Sequence, residues 1–141
     1  MDTKIFVFGN GNLSFQDFLI YYSEKIVKAI DDINPHFIVC DFRGTDTLTM
    51  ELLKSLTANV TVLHIGEKPR YIADSFKTKV SQWNIKGGFK DDTERDLYAI
   101  NSCTHFLAFD FNSNEKRKSG TLKNIELCLA QNKIEIKNTP L

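Results

Sequence analysis

An α/β fold with a doubly wound, mostly parallel sheet of about five strands is predicted by three observations. Short continuous apolar runs alternate with stretches of helical periodicity along the chain. The runs are apolar at consecutive positions, as in strands buried on both faces. A polar loop and then a helix follow them, an order that favours right-handed crossovers and parallel neighbours.

Lys4-Ile-Phe-Val-Phe8 is the first strand, closed by Gly9-Asn-Gly-Asn12. Apolar residues from Phe15 to Ile33 recur at three- and four-residue steps and define an amphipathic helix. Ser14 stands at its N-cap, and Asn34-Pro35 stops it because the residue before proline is pushed out of the helical region. His36–Cys40 is the second strand, Asp41–Asp46 its loop, and Leu48 to Leu56 the next helix. Asn59 to Ile65 is the third strand. Between Gly66 and Asp91, where Pro69 and Gly87-Gly88 punctuate the pattern, Tyr71 to Phe76 reads as one or two helical turns and Val80 to Ile85 as an edge strand. A helix over Asp92 to Cys103, a strand over Phe106 to Asp110, a helix from Ser119 and a strand over Lys133 to Ile136 complete the alternation. The loop from Asn112 to Lys118 reads as solvated surface and the last residues as a tail.

A chain of 141 residues fits one domain with a substantial core. Eighteen basic and eighteen acidic side chains cancel, so the basic surplus that carries nonspecific polyanion binding is absent and nucleic acid is not expected as a partner. Cys40, Cys103 and Cys128 are far apart and form no Cys-x-x-Cys pair, and only His36, His64 and His105 stand beside them. Neither a disulfide framework nor a metal site follows, and no cofactor is implied. The sequence shows neither a secretory apolar segment nor a membrane span, which predicts a cytoplasmic protein without a membrane partner.

In doubly wound sheets, ligands bind beyond the carboxyl ends of the strands where strand order reverses. A sheet order of 3-2-1-4-5 would place Gly9–Asn12 opposite Asn112–Thr121, with Asp41–Asp46 beside them. Backbone N–H groups from Ser119 through Gly120 to Thr121, at the positive end of a helix, suit an anion such as phosphate; an ordinary N-cap is the alternative. Gly9 and Gly11 allow positive φ and close backbone approach to a ligand, a tight strand-to-helix turn being the alternative, and Asn10 or Asn12 supplies hydrogen bonds. Arg43 offers a planar cationic fork beside Gly44, while Asp46 suits ribose hydroxyls or a helix cap. The full Gly-x-Gly-x-x-Gly pattern and the Gly-Lys-Ser/Thr phosphate loop are both missing, which argues against dinucleotide oxidoreductases and ATPases. Asp110 ends a buried run and must find partners, with Arg95 a candidate; His64 reads as a satisfied core histidine.

Lys4 to Gly9, Arg43-Gly-Thr-Asp-Thr-Leu48, Arg95-Asp96 and Ser119-Gly-Thr121 together resemble the SLOG superfamily of Rossmann-like proteins. This group includes DprA-related, cytokinin-activating LOG and YspA/YpsA-like proteins, the last being the nearest likeness. The usual Gly-Gly before Ala-Arg-Gly-x-Asp is replaced here by Cys40-Asp-Phe-Arg-Gly-Thr-Asp46. Asp96-Leu-Tyr-Ala-Ile100, Phe109-Asp110 and Ile125-Glu-Leu-Cys-Leu-Ala130 are similar to nucleoside 2-deoxyribosyltransferases and deoxynucleotide N-hydrolases. That likeness implies Glu126 as nucleophile on the sugar, with Asp96 and Asp110 contacting sugar or base. Both resemblances imply a nucleotide- or nucleoside-like small molecule, ADP-ribose included. Three expectations result: a binding domain, an N-glycosidic hydrolase or transferase using Glu126, and a homodimer or higher oligomer acting as a scaffold.

Overall fold

Six strands pair in parallel throughout: β1 (Lys4–Gly9), β2 (His36–Cys40), β3 (Val60–Ile65), β4 (Asn84–Phe89), β5 (His105–Phe109) and β6 (Ile134–Glu135). The computed structural model describes residues 2–137, so the tail expected beyond them lies outside the described residues. Sheet order is β4-β3-β2-β1-β5-β6, with β1 and β5 adjacent at the centre in the register Ile5↔His105 to Gly9↔Phe109. The strand count is therefore six, and the edge strand beyond β3 is the addition to the expected order.

Successive strand residues point to opposite faces, and both faces are apolar. Ile5, Val7, Phe37, Val39, Val60 and Val62 face a cluster containing Phe18, Tyr22, Ile26, Met50 and Leu53. These come from α1 (Phe15–Phe18), α2 (Glu24–Ile33) and α3 (Thr45–Leu53), with a π-helical turn, Leu19–Ser23, joining the first two. Phe6, Phe8, Ile38, Cys40 and Leu63 face the other way, toward Ala99, Ile100, Cys103 and Cys128. There α4 (Asp92–Ser102) and α5 (Gly120–Ala130) cover the sheet. The chain thus leaves β1 on one face and enters β5 from the other, which makes the β1–β5 boundary the switch point.

The helix from Phe15 begins at Ser14, whose side chain accepts from the Asp17 N–H at 3.1 Å, and ends at Asn34 in a left-handed conformation (φ 45°). Its π turn seats Tyr22 against the central strands. The Tyr22 hydroxyl donates to the Phe8 carbonyl at 2.9 Å and accepts from the Phe109 N–H at 2.9 Å, bridging the carboxyl ends of β1 and β5. Tyr22→Phe leaves those buried groups short of a partner and is expected to cost about 1–3 kcal/mol in urea denaturation, with the fold retained.

Residues 66–83 depart most from the sequence expectation. Tyr71 to Phe76 forms no helix: Ile72 and Phe76 are exposed, and only Ala73 turns fully inward. Tyr71 instead donates its hydroxyl to Glu51. Val80–Gln82 is a 3-10 turn that buries Val80 and Trp83, and the Trp83 indole N–H donates to the Thr57 carbonyl at 3.0 Å. The edge strand starts only at Asn84 and contains Gly87-Gly88 rather than stopping before them. A Cβ on Gly87 would lie 2.5 Å from Cε1 of the buried His64 ring, so glycine is what lets β4 close over that ring.

Candidate functional site

A cavity of about 490 Å³ opens at the carboxyl edge, at the switch point. One wall is Gly9 to Asn12 after β1; a second is Phe42, Arg43 and Asp46 after β2. Opposite stand Asn112, Arg117 and the start of α5 from Ser119 to Thr121, with Asn124 one turn further on. Phe6, Phe8 and Cys40 contribute from the sheet, and Asp92, Arg95 and Asp96 from α4.

The glycines around the cavity divide into packing positions and one open position. Gly44 has φ +72°, and a Cβ there would sit 2.5 Å from the Gly11 carbonyl carbon, so the loops after β1 and β2 touch backbone to backbone. A Cβ on Gly9 would lie 2.3 Å from the Tyr22 hydroxyl, and one on Gly11 would lie 2.5 Å from the Phe42 ring. Neither Gly9 nor Gly11 has positive φ. Their small size accommodates protein neighbours, which corrects the expectation of left-handed geometry at these two positions. Gly120 alone among the glycines lining the cavity faces open space, with no heavy atom within 4 Å of the place a Cβ would take.

Asn10 and Asp110 tie the walls together. The Asn10 carbonyl accepts from the Thr45 N–H (3.2 Å) and hydroxyl (3.0 Å), and its side-chain oxygen accepts from the Phe111 N–H (2.7 Å). Its amide donates to Asp110 Oδ1 at 2.9 Å and to Thr121 Oγ1 at 3.3 Å. Asp110 also accepts from the Ser119 hydroxyl at 2.7 Å and the Asn112 N–H at 3.1 Å. Ser119 in turn caps α5, accepting from the Leu122 N–H at 3.0 Å. Burial works to raise the Asp110 carboxyl, but hydrogen bonds from Ser113, Asn10, Ser119 and the Asn112 N–H outweigh it and hold it at about 2.

That depression fixes a pH dependence. A carboxyl lower in the folded than in the unfolded chain stabilises fully above about pH 4, and the stabilisation is lost as pH falls toward 2. Asp110→Asn should cost about 2 kcal/mol at pH 7 and almost nothing at pH 2, read from denaturation curves of both proteins across that range.

Arg95 does not pair with Asp110. Its buried guanidinium donates to Asp41 (3.0 Å) and to Asp96 (2.9 and 3.1 Å), and stands 2.9 Å from Asp92. Asp41 is also held by the Arg70 backbone N–H at 2.8 Å and guanidinium at 3.1 and 3.2 Å. Although burial acts to raise Asp41, these Arg70 bonds and Arg95 keep it below the usual carboxylate range. The Asn124 amide completes the network, donating to Asp96 at 3.0 Å. The expected ion pair was therefore right in its cation and wrong in its anion, because neutral donors had already satisfied Asp110.

Asp46 is buried near the start of α3 and accepts from the Phe42 N–H at 2.9 Å. Gly44, with no side chain, occupies the N-cap position of that helix. Arg43 and Arg117 are exposed on the cavity's walls, and no carboxylate among the described residues pairs with either. Arg43 lies over the Phe42 ring, 5.1 Å from its centroid. Of the three carboxylates expected to act on a sugar, only Asp96 lines the cavity. Asp110 lies behind its wall, and Glu126 is exposed on α5 with Oε1 2.7 Å from Lys118 Nζ. Arg117 and Asn124 were not singled out from sequence; Asn124 was the more legible, standing four residues after Gly120 and so on the same helix face.

No protein-family model matches the chain, and no curated protein matches its sequence. Among solved structures it is similar to DNA processing protein A from Helicobacter pylori, with a TM-score of 0.63 and 15% identity. That match covers 94% of this chain but 63% of the other, so the chain spans less than two thirds of that protein. It is also similar to the molybdenum cofactor carrier protein from Chlamydomonas reinhardtii, with a TM-score of 0.58, 19% identity, and coverage of 96% and 75% of the two chains. At these identities the likeness shows the fold, a Rossmann-like α/β domain shared with DNA processing protein A.

The expectation that excluded nucleic acid is overturned. DNA processing protein A binds single-stranded DNA, and this chain shares its fold over nearly its whole length. A net charge of zero is a sum over the whole surface, whereas binding depends on where the charges stand. None of the described helices is long and apolar enough to cross a membrane.

Proposed function

We propose that the crevice between the β1 and β5 loops binds a nucleotide-like ligand through its phosphate. The observation that carries this reading is the open start of α5. The Gly120 and Thr121 N–H groups find no acceptor among the described residues, and no side chain occupies the space in front of Gly120. Backbone donors at a helix's positive end favour an anion. Two guanidiniums that no carboxylate among the described residues pairs, Arg43 and Arg117, stand on the same cavity's walls. Its volume falls within the roughly 300–1,000 Å³ usual for small-ligand sites. The fold neighbours support a ligand site on this architecture without specifying its occupant.

Cleaving an N-glycosidic bond requires a carboxylate at the anomeric carbon. Glu126 is engaged with Lys118 outside the cavity, so binding is the function these residues support better. A free nucleotide and a nucleotide unit within a single strand present the same phosphate. Calorimetry against the four ribonucleoside monophosphates, ADP-ribose and a single-stranded thymidine oligonucleotide separates them. Saturable binding that weakens with added salt is expected for at least one of these ligands. No heat and no saturation with any of them would overturn the proposal.

A further inference from the structure

Asp46 is only 6% exposed, yet it lines the cavity. Its Oδ2 accepts from the Phe42 N–H at 2.9 Å, while no donor among the described residues reaches Oδ1. No fully buried side-chain oxygen among the described residues lacks a partner, so Oδ1 opens onto the cavity. The carboxyl thus has one oxygen fixed by the protein and one available to a ligand.

Resting on the nucleotide reading above, we propose that Asp46 enters the complex in its protonated form and donates a hydrogen bond from Oδ1 to an uncharged acceptor of the ligand, a carbonyl or ring nitrogen of the base. An ionised Asp46 would instead face this ligand as a third carboxylate in a site already carrying Asp92 and Asp96. Charged and titratable groups surround it: Cys40 and Asp41 at the end of β2, Arg43 in the following loop, Arg95 and Asp96 on α4, and Tyr22 on the π turn. Both cations are limited in what they can offset. Arg95 is shared among three other carboxylates, and Arg43 is exposed over Phe42. Burial pushes the Asp46 carboxyl up to about 7, against the pull of the Phe42 N–H and Arg95 and with the help of Asp96 and Asp41. Above neutrality the free protein must therefore take up a proton when it binds.

Asp46→Asn is the informative variant. Its oxygen can still accept from the Phe42 N–H, and its amide presents a permanent donor where the protonated acid presents one. Calorimetry with AMP and GMP between pH 6 and 9, in two buffers of different ionisation enthalpy, measures both affinity and proton uptake. Comparison with the variant cancels the titration of the nucleotide phosphate itself. The parent should lose affinity about tenfold per pH unit above 7 relative to Asp46→Asn, with up to one proton taken up per ligand by the parent and none by the variant at this site. Parent and variant affinities that run in parallel, or binding by the parent without extra proton uptake at pH 8, would overturn the inference while leaving nucleotide binding standing. Failure of AMP and GMP to bind the parent at any pH would overturn this inference, and failure of every ligand in the panel above would overturn the nucleotide reading with it. At pH 8 the nucleotide phosphate is already ionised, so proton uptake there is read on the parent alone and a variant that failed to fold would not shield the proposal.

Discussion

Arg95→Met is expected to destabilise the protein by about 3–5 kcal/mol, the largest effect of any single substitution at the site. Arg95 is 4% exposed and Asp41 is 1% exposed. Removing the cation leaves Asp41 and Asp92 to share Arg70 and leaves Asp96 with the neutral Asn124 amide and no cation. Methionine fills much of the volume but neutralises nothing. Lysine is no remedy, because a single ammonium cannot reproduce the fork that reaches Asp41 and Asp96 at once. Denaturation at pH 7 measures the loss. It should shrink as pH falls below about 4, because protonating the abandoned carboxylates removes the uncompensated charge. A cost under about 1 kcal/mol would show that the network orders the cavity wall without stabilising the fold.

Gly120→Asp should weaken binding of a phosphorylated ligand about a hundredfold or more while leaving stability unchanged or slightly improved. The two effects have different origins. Open space at this position means that the new side chain meets no protein atom, and a carboxylate in the first turn of a helix is favoured by its dipole. The same carboxylate occupies the place of the phosphate and repels it, at a cost of several kcal/mol. Calorimetry with the ligand and a melting curve without it read the two effects separately. Unchanged affinity would reduce the start of α5 to a capped helix end.

The strands and most helices were legible because their signals are local. Ile5 to Phe8 and Phe106 to Ala108 are buried on both faces, and an unbroken apolar run states that directly. The π turn was invisible for a physical reason: Phe18, Tyr22, Ile26 and Ala29 keep helical spacing whether or not one turn is widened, so the pattern does not register it. Tyr71 to Phe76 misled in the opposite way. Its apolar residues have helical spacing, but Ile72 and Phe76 face water and only Ala73 is buried, so the segment packs on the core as an irregular strap. Gly87-Gly88 looked like a strand terminator because the contact that requires Gly87, with the His64 ring, comes from a neighbouring strand.

At the site, position was more legible than partnership. The rule that loops follow the carboxyl ends of strands located the cavity and gathered Asn10, Arg43, Asp46 and the Ser119 turn around it. Which charge meets which was not readable. Arg95 reaches Asp41 across 54 positions, while Asp110 is satisfied by Asn10 and Ser119, and both outcomes depend on how β2, β5 and α4 are stacked. The raised Asp46 carboxyl was equally hidden, since burial among other carboxylates is a property of the assembled wall.

Amide chemical-shift mapping of the uniformly labelled protein with the tightest-binding nucleotide tests the central claim most directly. The N–H signals of Gly11, Asn12, Gly120 and Thr121 should shift most and saturate together, with those of Phe42 and Arg43 following, and the set should fall silent in Gly120→Asp. Shifts confined to the opposite edge of the sheet, around His36, Thr61 and Lys86 where a second groove of about 720 Å³ lies, would contradict the account and move the ligand away from the switch point.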